Sequence, residues 1–193
     1  MTGDCALWRG RPPALHPSAI ALSRRHLLAA LACAAGCTSA SPSSAGVGAK
    51  VPRLTGVGLD GEYAQLEDHT GDVILVNVWA TWCAPCMAEL PELQRLHRAL
   101  RDRGFTVVAI SEDTERAEQA VRDAVAELGL TFPVWLDPSS QATERLRLSG
   151  YPASVVVGRD GVITWRRDGM ITPGDHALLG AIETALARPR EAT

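Results

Sequence analysis

Between Val73 and Trp79 every residue except Asn77 is apolar. A strand with one wet face would alternate, so this run predicts a strand buried on both faces of a sheet covered by helices. Past residue 86 the period lengthens. Leu90, Leu93, Leu96 and Leu100 share one face of a helix predicted over 84–103. Pro91 falls inside it, where proline costs about 3 kcal/mol, yet the apolar period continues to Leu100, which argues against a stop there. A strand over 105–111 follows. Ala117, Val121, Val125 and Leu128 mark a second amphipathic helix, capped by Asp113 or Thr114. Residues 132–136 predict a short strand and 141–148 a short helix. Two hairpins are expected, one from 54–59 and 62–65 around Asp60-Gly61, the other from 153–158 and 162–167 around Asp160-Gly161. Thr172-Pro173-Gly174-Asp175 has the composition of a helix start, with Leu178, Leu179, Ile182 and Leu186 packing inward. The pattern is α/β, a mixed sheet with helices on both faces.

The chemistry sits where the buried strand gives way to the long helix, at Trp82-Cys83-Ala84-Pro85-Cys86. Unpaired amides and the positive end of the helix dipole favour a thiolate at Cys83, and the thiolate is the species that attacks in disulfide exchange. Pro85 suits the first helical turn, where its missing N–H is no loss. Cys86 is close enough to resolve a mixed disulfide. Zinc normally takes four ligands, and no second cysteine pair or His-x-x-x-His follows. So short a loop also gains little from a purely structural crosslink. The reading is a reversible dithiol with Cys83 as nucleophile and Cys86 as resolving thiol.

The stretch Val76-Asn77-Val78-Trp79-Ala80-Thr81-Trp82-Cys83-Ala84-Pro85-Cys86-Met87-Ala88-Glu89-Leu90-Pro91 resembles the active-site segment of the TlpA/ResA branch of the thioredoxin superfamily, to which the CcmG/DsbE proteins are related. The resemblance covers about Leu54 to Leu186. It implies a thioredoxin-like mixed sheet flanked by helices, with an N-terminal β-hairpin and a central helix-strand insert over 114–136. It implies a helix kink at Pro91 and a cis-proline facing the dithiol. Pro152, in Gly150-Tyr151-Pro152-Ala153-Ser154, matches that landmark, and X-Pro is where a cis bond is tolerated; an ordinary strand-entry proline is the plainer alternative. Asn77 stands where many thioredoxins have a buried aspartate, and an amide cannot take that proton. Glu89, three residues beyond Cys86 on the same helix face, matches an acid of these proteins. It is the candidate proton partner of Cys86, the alternative being a solvated glutamate. Trp82 shapes the surface beside Cys83 or packs inward, and the backbone at Tyr151 offers pairing to an extended substrate segment.

The front of the chain changes the setting. Residues 1–36 carry a Ser23-Arg24-Arg25-His26-Leu27-Leu28 sequence opening an apolar stretch that ends near Gly36. At about ten residues it is too short to span a bilayer and reads as an export signal. The paired arginines look like a twin-arginine signal; a chance pair ahead of a general export signal leads to the same destination. Ala34-Ala35-Gly36-Cys37 resembles a bacterial lipobox, departing at Ala34 where a branched residue is preferred. Acylation at Cys37 would give two-chain anchoring. Cleavage after Ala40 or Ala45 would give a soluble protein, and an uncleaved anchor is the third option. Residues 37–50, rich in Ser, Ala and Gly, read as a flexible tether, 51–188 as one domain and 189–193 as a frayed tail. Of five cysteines, Cys5 and Cys33 leave with the signal, so only Cys83 and Cys86 fall within the domain, too few for a disulfide framework. The whole chain carries −3; residues 1–36 hold four arginines and one aspartate, leaving −6 on the rest. An acidic domain without a basic stripe argues against nucleic-acid binding.

The expected activity is extracytoplasmic thiol:disulfide exchange, with no cofactor and no metal. Family resemblance implies client proteins with disulfides or cysteine pairs, such as apocytochrome c or the copper-site cysteines of an oxidase subunit, and a membrane electron donor of the CcdA/DsbD type. Two rival readings of the cysteine pair exist. A peroxiredoxin-type peroxidase has proline seven and threonine three residues before its reactive cysteine; those positions hold Val76 and Ala80 for Cys83, and Trp79 and Cys83 for Cys86. A copper chaperone of the related kind uses Cys-x-x-x-Cys and a distant histidine. The spacing here is one short, and His69, His97 and His176 read as surface residues.

Overall fold

The computed structural model describes residues 45–189. The strands are β1 (Thr55–Gly58), β2 (Tyr63–Gln65), β3 (Val73–Trp79), β4 (Phe105–Ser111), β5 (Val134–Leu136), β6 (Ala153–Val157) and β7 (Ile163–Asp168). The helices are α1 (Ala84–Leu100), α2 (Glu118–Glu127), α3 (Gln141–Leu146) and α4 (His176–Leu186). One seven-stranded sheet runs in the order β2-β1-β5-β4-β3-β6-β7. β3 pairs parallel with β4, and β4 parallel with β5. β6 is antiparallel to β3 and β7 to β6. β1 is antiparallel to both β2 and β5, so the first hairpin extends the sheet through the α2–β5 unit.

Strand periodicity divides the core. Val73, Leu75 and Trp79 face Leu90, Leu93 and Leu96 of α1, Val121 and Ala124 of α2, and Leu178 and Ile182 of α4. Ile74, Val76 and Val78 face the other layer, with Ala142 and Leu146 of α3, Leu54 and Leu66. All seven residues of β3 are buried, as the unbroken apolar run requires. Both Asp-Gly turns form, with Gly61 and Gly161 at φ 87° and 71°, where a side chain would be strained. Among the described residues no helix is long and apolar enough to cross a membrane.

Several expected boundaries move. Residues 45–50, placed within the tether, lie along β7: the Gly48 amide donates to the Ile163 carbonyl (2.8 Å), the Ile163 amide to Ala49 (2.8 Å), and Lys50 bridges Val162. The second helix does not start from an Asp113 cap. The Asp113 carboxyl group instead accepts from Thr81 and Ser111, the Thr114 side chain makes no capping hydrogen bond, and a 3-10 turn over Glu115–Ala117 precedes α2. Ala117 is therefore only half-buried, and Val121 and Ala124 carry the inner face. β5 begins at Val134 because Pro133 has no N–H to donate, although its carbonyl still accepts from Ala109. The α-helical part of the long helix ends at Leu100 and a 3-10 turn completes it to Arg103. α4 starts at His176, with the Asp175 side chain accepting from the Leu178 amide. His97 is not a surface residue. The leucine stripe turns it under the loop before β5, where it is 8% exposed and meets Phe132 edge-on at 5.9 Å.

Candidate active site

β3 delivers the chain to the carboxyl edge of the sheet, and Cys83 is the N-cap residue of α1. Pro85 is exposed in the first turn, and the Cys86 amide donates to Cys83 Sγ at 3.2 Å. Cys83 and Cys86 form a disulfide, so the structure is that of the oxidised protein. Cys86 is fully buried and Cys83 keeps 6% exposure, so of this pair Cys83 is the one that another molecule can reach. The helix continues through Pro91 without ending.

Opposite strands bring in the remaining residues. Tyr151-Pro152 is a cis peptide immediately before β6, and the Pro152 carbonyl accepts from the Gly169 amide. Trp82 is 67% exposed and its ring meets that of Tyr151 edge-on, centroids 5.4 Å apart. The expected members Trp82, Cys83, Pro85, Cys86, Tyr151 and Pro152 thus gather at one edge. Burial, and then the hydrogen bond to Glu112, push the Tyr151 phenol upward.

Glu89 is buried, not solvated, at 1% exposure. Its Oε1 accepts from Asn77 Nδ2 (2.7 Å) and its Oε2 from the Ile171 amide (2.6 Å). Burial pushes its pKa from 4.5 up to about 7, against the opposing pull of the Ile171 and Asn77 hydrogen bonds and the charge of Arg167. Asn77 also donates to Ser154 Oγ (3.0 Å), its partner across the β3–β6 pair, while Asn77 Oδ1 is buried without a partner among the described residues. Arg167 pairs with Asp175 and lies over the Trp165 ring at 5.3 Å.

Sequence reasoning missed Ser154, Glu112 and the role of Asp113. Ser154 interrupts an apolar strand just as Asn77 does, which was the available signal. His69 stacks on Trp135 and His176 opens α4. Among the described residues no cluster of three or more His, Cys, Asp or Glu side chains is arranged to hold a metal ion. Cys37 lies outside the described residues.

A mixed sheet flanked by helices, with a cysteine pair at a helix N-terminus beside a cis-proline, defines a thioredoxin-like protein. The chain belongs to the AhpC/TSA family, which matches residues 47–166, more than half of its length. It is 28% identical over 117 residues to the thiol-disulfide oxidoreductase ResA of Bacillus thuringiensis (strain Al Hakam), covering 61% of this chain and 66% of that protein, just under two thirds. It is 31% identical over 116 residues to the thioredoxin-like protein YneN of Bacillus subtilis, covering 60% of this chain and 68% of the relative. Among solved structures it is similar to a Chlorobium tepidum protein assigned as the thiol:disulfide interchange protein DsbE, with TM-score 0.68 and 28% identity over 74% of this chain and 99% of the other.

Proposed function

We propose that this protein is an extracytoplasmic thiol:disulfide oxidoreductase that reduces disulfides in client proteins. The observation that carries the reading is the Cys83–Cys86 pair at the N-terminus of α1, with the Cys86 amide directed at Cys83 Sγ. In the reduced protein the Cys83 thiolate attacks one sulfur of a client disulfide. A mixed disulfide forms and the first client sulfur leaves as a thiol. Cys86 then gives up its proton, with Glu89 as the acceptor, and attacks Cys83 Sγ. The Cys83–Cys86 bond forms, the second client thiol leaves, and two electrons have passed to the client. A midpoint of about 7 suits Glu89 to both take and return that proton near neutral pH.

The names of the similar ResA and DsbE-type proteins support the reaction class. Resemblance to the TlpA/ResA branch supports clients such as apocytochrome c or copper-site cysteines, and re-reduction by a membrane donor of the CcdA/DsbD type. The export signal over 1–36, and either acylation at Cys37 or release of a soluble form, belong to the same reading.

The test is reduction of insulin by purified protein with dithiothreitol as electron source. Catalysis that disappears in Cys83→Ser supports the assignment; none above the dithiothreitol background removes it. Measuring peroxide consumption in parallel separates this activity from the peroxidase that the family name admits, for which Val76 and Ala80 are the wrong residues. The reduction potential gives direction. A value near that of thioredoxin, about −270 mV, fits a reductant, and one near that of DsbA, about −120 mV, reverses the flow.

A further inference from the structure

Two buried acids at the end of β4, Glu112 and Asp113, have no part in the chemistry above. β4 pairs with β3 up to Ser111 opposite Trp79, so both acids emerge beside the segment that leads into Cys83. Glu112 and Asp113 are 7% and 5% exposed. A carboxyl group taken out of water is costly unless its oxygens are satisfied, and here each is. The Thr143 amide donates to Glu112 Oε1 (2.8 Å), and the Thr143 hydroxyl (2.8 Å) and the Tyr151 phenol both donate to Oε2. The Glu112 amide is itself fixed to the Trp79 carbonyl at 3.0 Å. Asp113 accepts from the Thr81 amide (2.8 Å), the Thr81 hydroxyl (2.7 Å) and the Ser111 hydroxyl (2.8 Å). One acid therefore holds the residue before Trp82, and the other holds the ring that Trp82 touches.

We propose that Glu112 is a positioning residue, whose carboxyl group sets the Tyr151 ring against Trp82 to form a rigid docking edge for polypeptide disulfides beside Cys83. The inference rests on the disulfide-exchange function proposed above. Trp82 is widely exposed, with Tyr151 as its neighbouring ring. An exposed side chain free to rotate would lose entropy each time a client docked; one held in place beforehand does not. Glu112 therefore acts on client binding, and the sulfur chemistry runs without it.

The experiment measures KM and kcat for insulin reduction in Glu112→Gln, Tyr151→Phe and the double variant, with the exposed Glu115→Gln as control. Glu112→Gln and Tyr151→Phe are each expected to raise KM about tenfold with kcat within twofold, the double variant no further than either, and Glu115→Gln to stay within twofold. Should Glu112 merely support α3 through Thr143, Tyr151→Phe would leave KM unchanged or the two losses would multiply; either result overturns the proposal. If Glu112→Gln fails to fold, Tyr151→Phe still decides, because an unchanged KM refutes the docking edge. A wild-type protein unable to reduce insulin would instead remove the underlying function.

Discussion

Replacing Glu89 with glutamine removes a buried group that titrates and keeps its shape, so the consequence for stability is calculable. In the folded protein Glu89 ionises at about 7, against an ordinary 4.5. Between these values the unfolded chain has released the proton and the folded protein still holds it. Stability contributed by the protonated form is complete below 4.5 and falls as pH rises towards 7. A tenfold change in an equilibrium is worth about 1.4 kcal/mol, so the full displacement corresponds to about 3 kcal/mol. Glutamine cannot ionise and loses nothing over that window. It does meet two donors where the carboxyl group met two, Asn77 Nδ2 and the Ile171 amide. Rotating the Asn77 amide would present Oδ1, which lacks a partner, to the new NH2 group. The residual mismatch is a constant offset of about 1 kcal/mol. Urea unfolding of oxidised wild type and Glu89→Gln at pH 4, 5.5, 7 and 8 should show the variant gaining about 3 kcal/mol relative to wild type from the lowest to the highest pH. A difference that stays constant across the series would refute the buried-titration argument, and with it the basis for Glu89 as proton partner of Cys86.

Three other outcomes follow from the same geometry. Cys86→Ser should accumulate a mixed disulfide between Cys83 and a client, visible as a band that disappears on reduction; no such adduct would count against Cys83 as nucleophile. His97, buried against Phe132 with Arg98 and Arg101 nearby, has its pKa pushed below 6.5, chiefly by burial. The unfolded chain then binds a proton that the folded protein refuses, so the His97 contribution to stability falls as pH drops through about 6.5, opposite in sign to that of Glu89, and thermal melts should show His97→Leu gaining on wild type as pH falls. The Ile171 amide, which donates to Glu89, should also report on its protonation.

The legible parts of the fold were those written in one continuous run. β3 and α1 followed from the change of period across residues 79–90, and the Asp-Gly turns from their sequence. The cysteine pair and Pro152 were legible because they lie in short contiguous motifs. Contacts that depend on which strands become neighbours were hidden. Asp113 looks like a helix cap from the residues after it, and only the β3–β4 pairing puts it beside Thr81. Glu112 is as ordinary in sequence as Glu115, which is exposed. His97 sits four residues after Leu93, a spacing compatible with burial, but the cover comes from Phe132 on a distant loop. Asn77 and Ser154 were individually visible as polar breaks in apolar strands. Their partnership required the register that places them opposite each other.

That register has a consequence for how the proton and the client are linked. Glu89 rides on the helix that carries both sulfur atoms, yet its two hydrogen-bond donors belong to other elements, Asn77 on β3 and Ile171 in the loop after β7. Two residues before Ile171, the Gly169 amide holds the Pro152 carbonyl. A hydrogen bond to an ionised oxygen is roughly twice as strong as one to a neutral acceptor, so protonating Glu89 weakens its hold on the loop beside the cis-proline. In the oxidised protein the Ile171 amide should therefore shift in NMR spectra with a midpoint of about 7, moving downfield as pH rises and the carboxylate forms. Glu89→Gln should abolish the titration and leave the rest of the spectrum folded. An Ile171 resonance that stays put from pH 5 to 8.5 would break the link between the proton on Glu89 and the loop that supports the client-facing surface, leaving the acid with a purely local role.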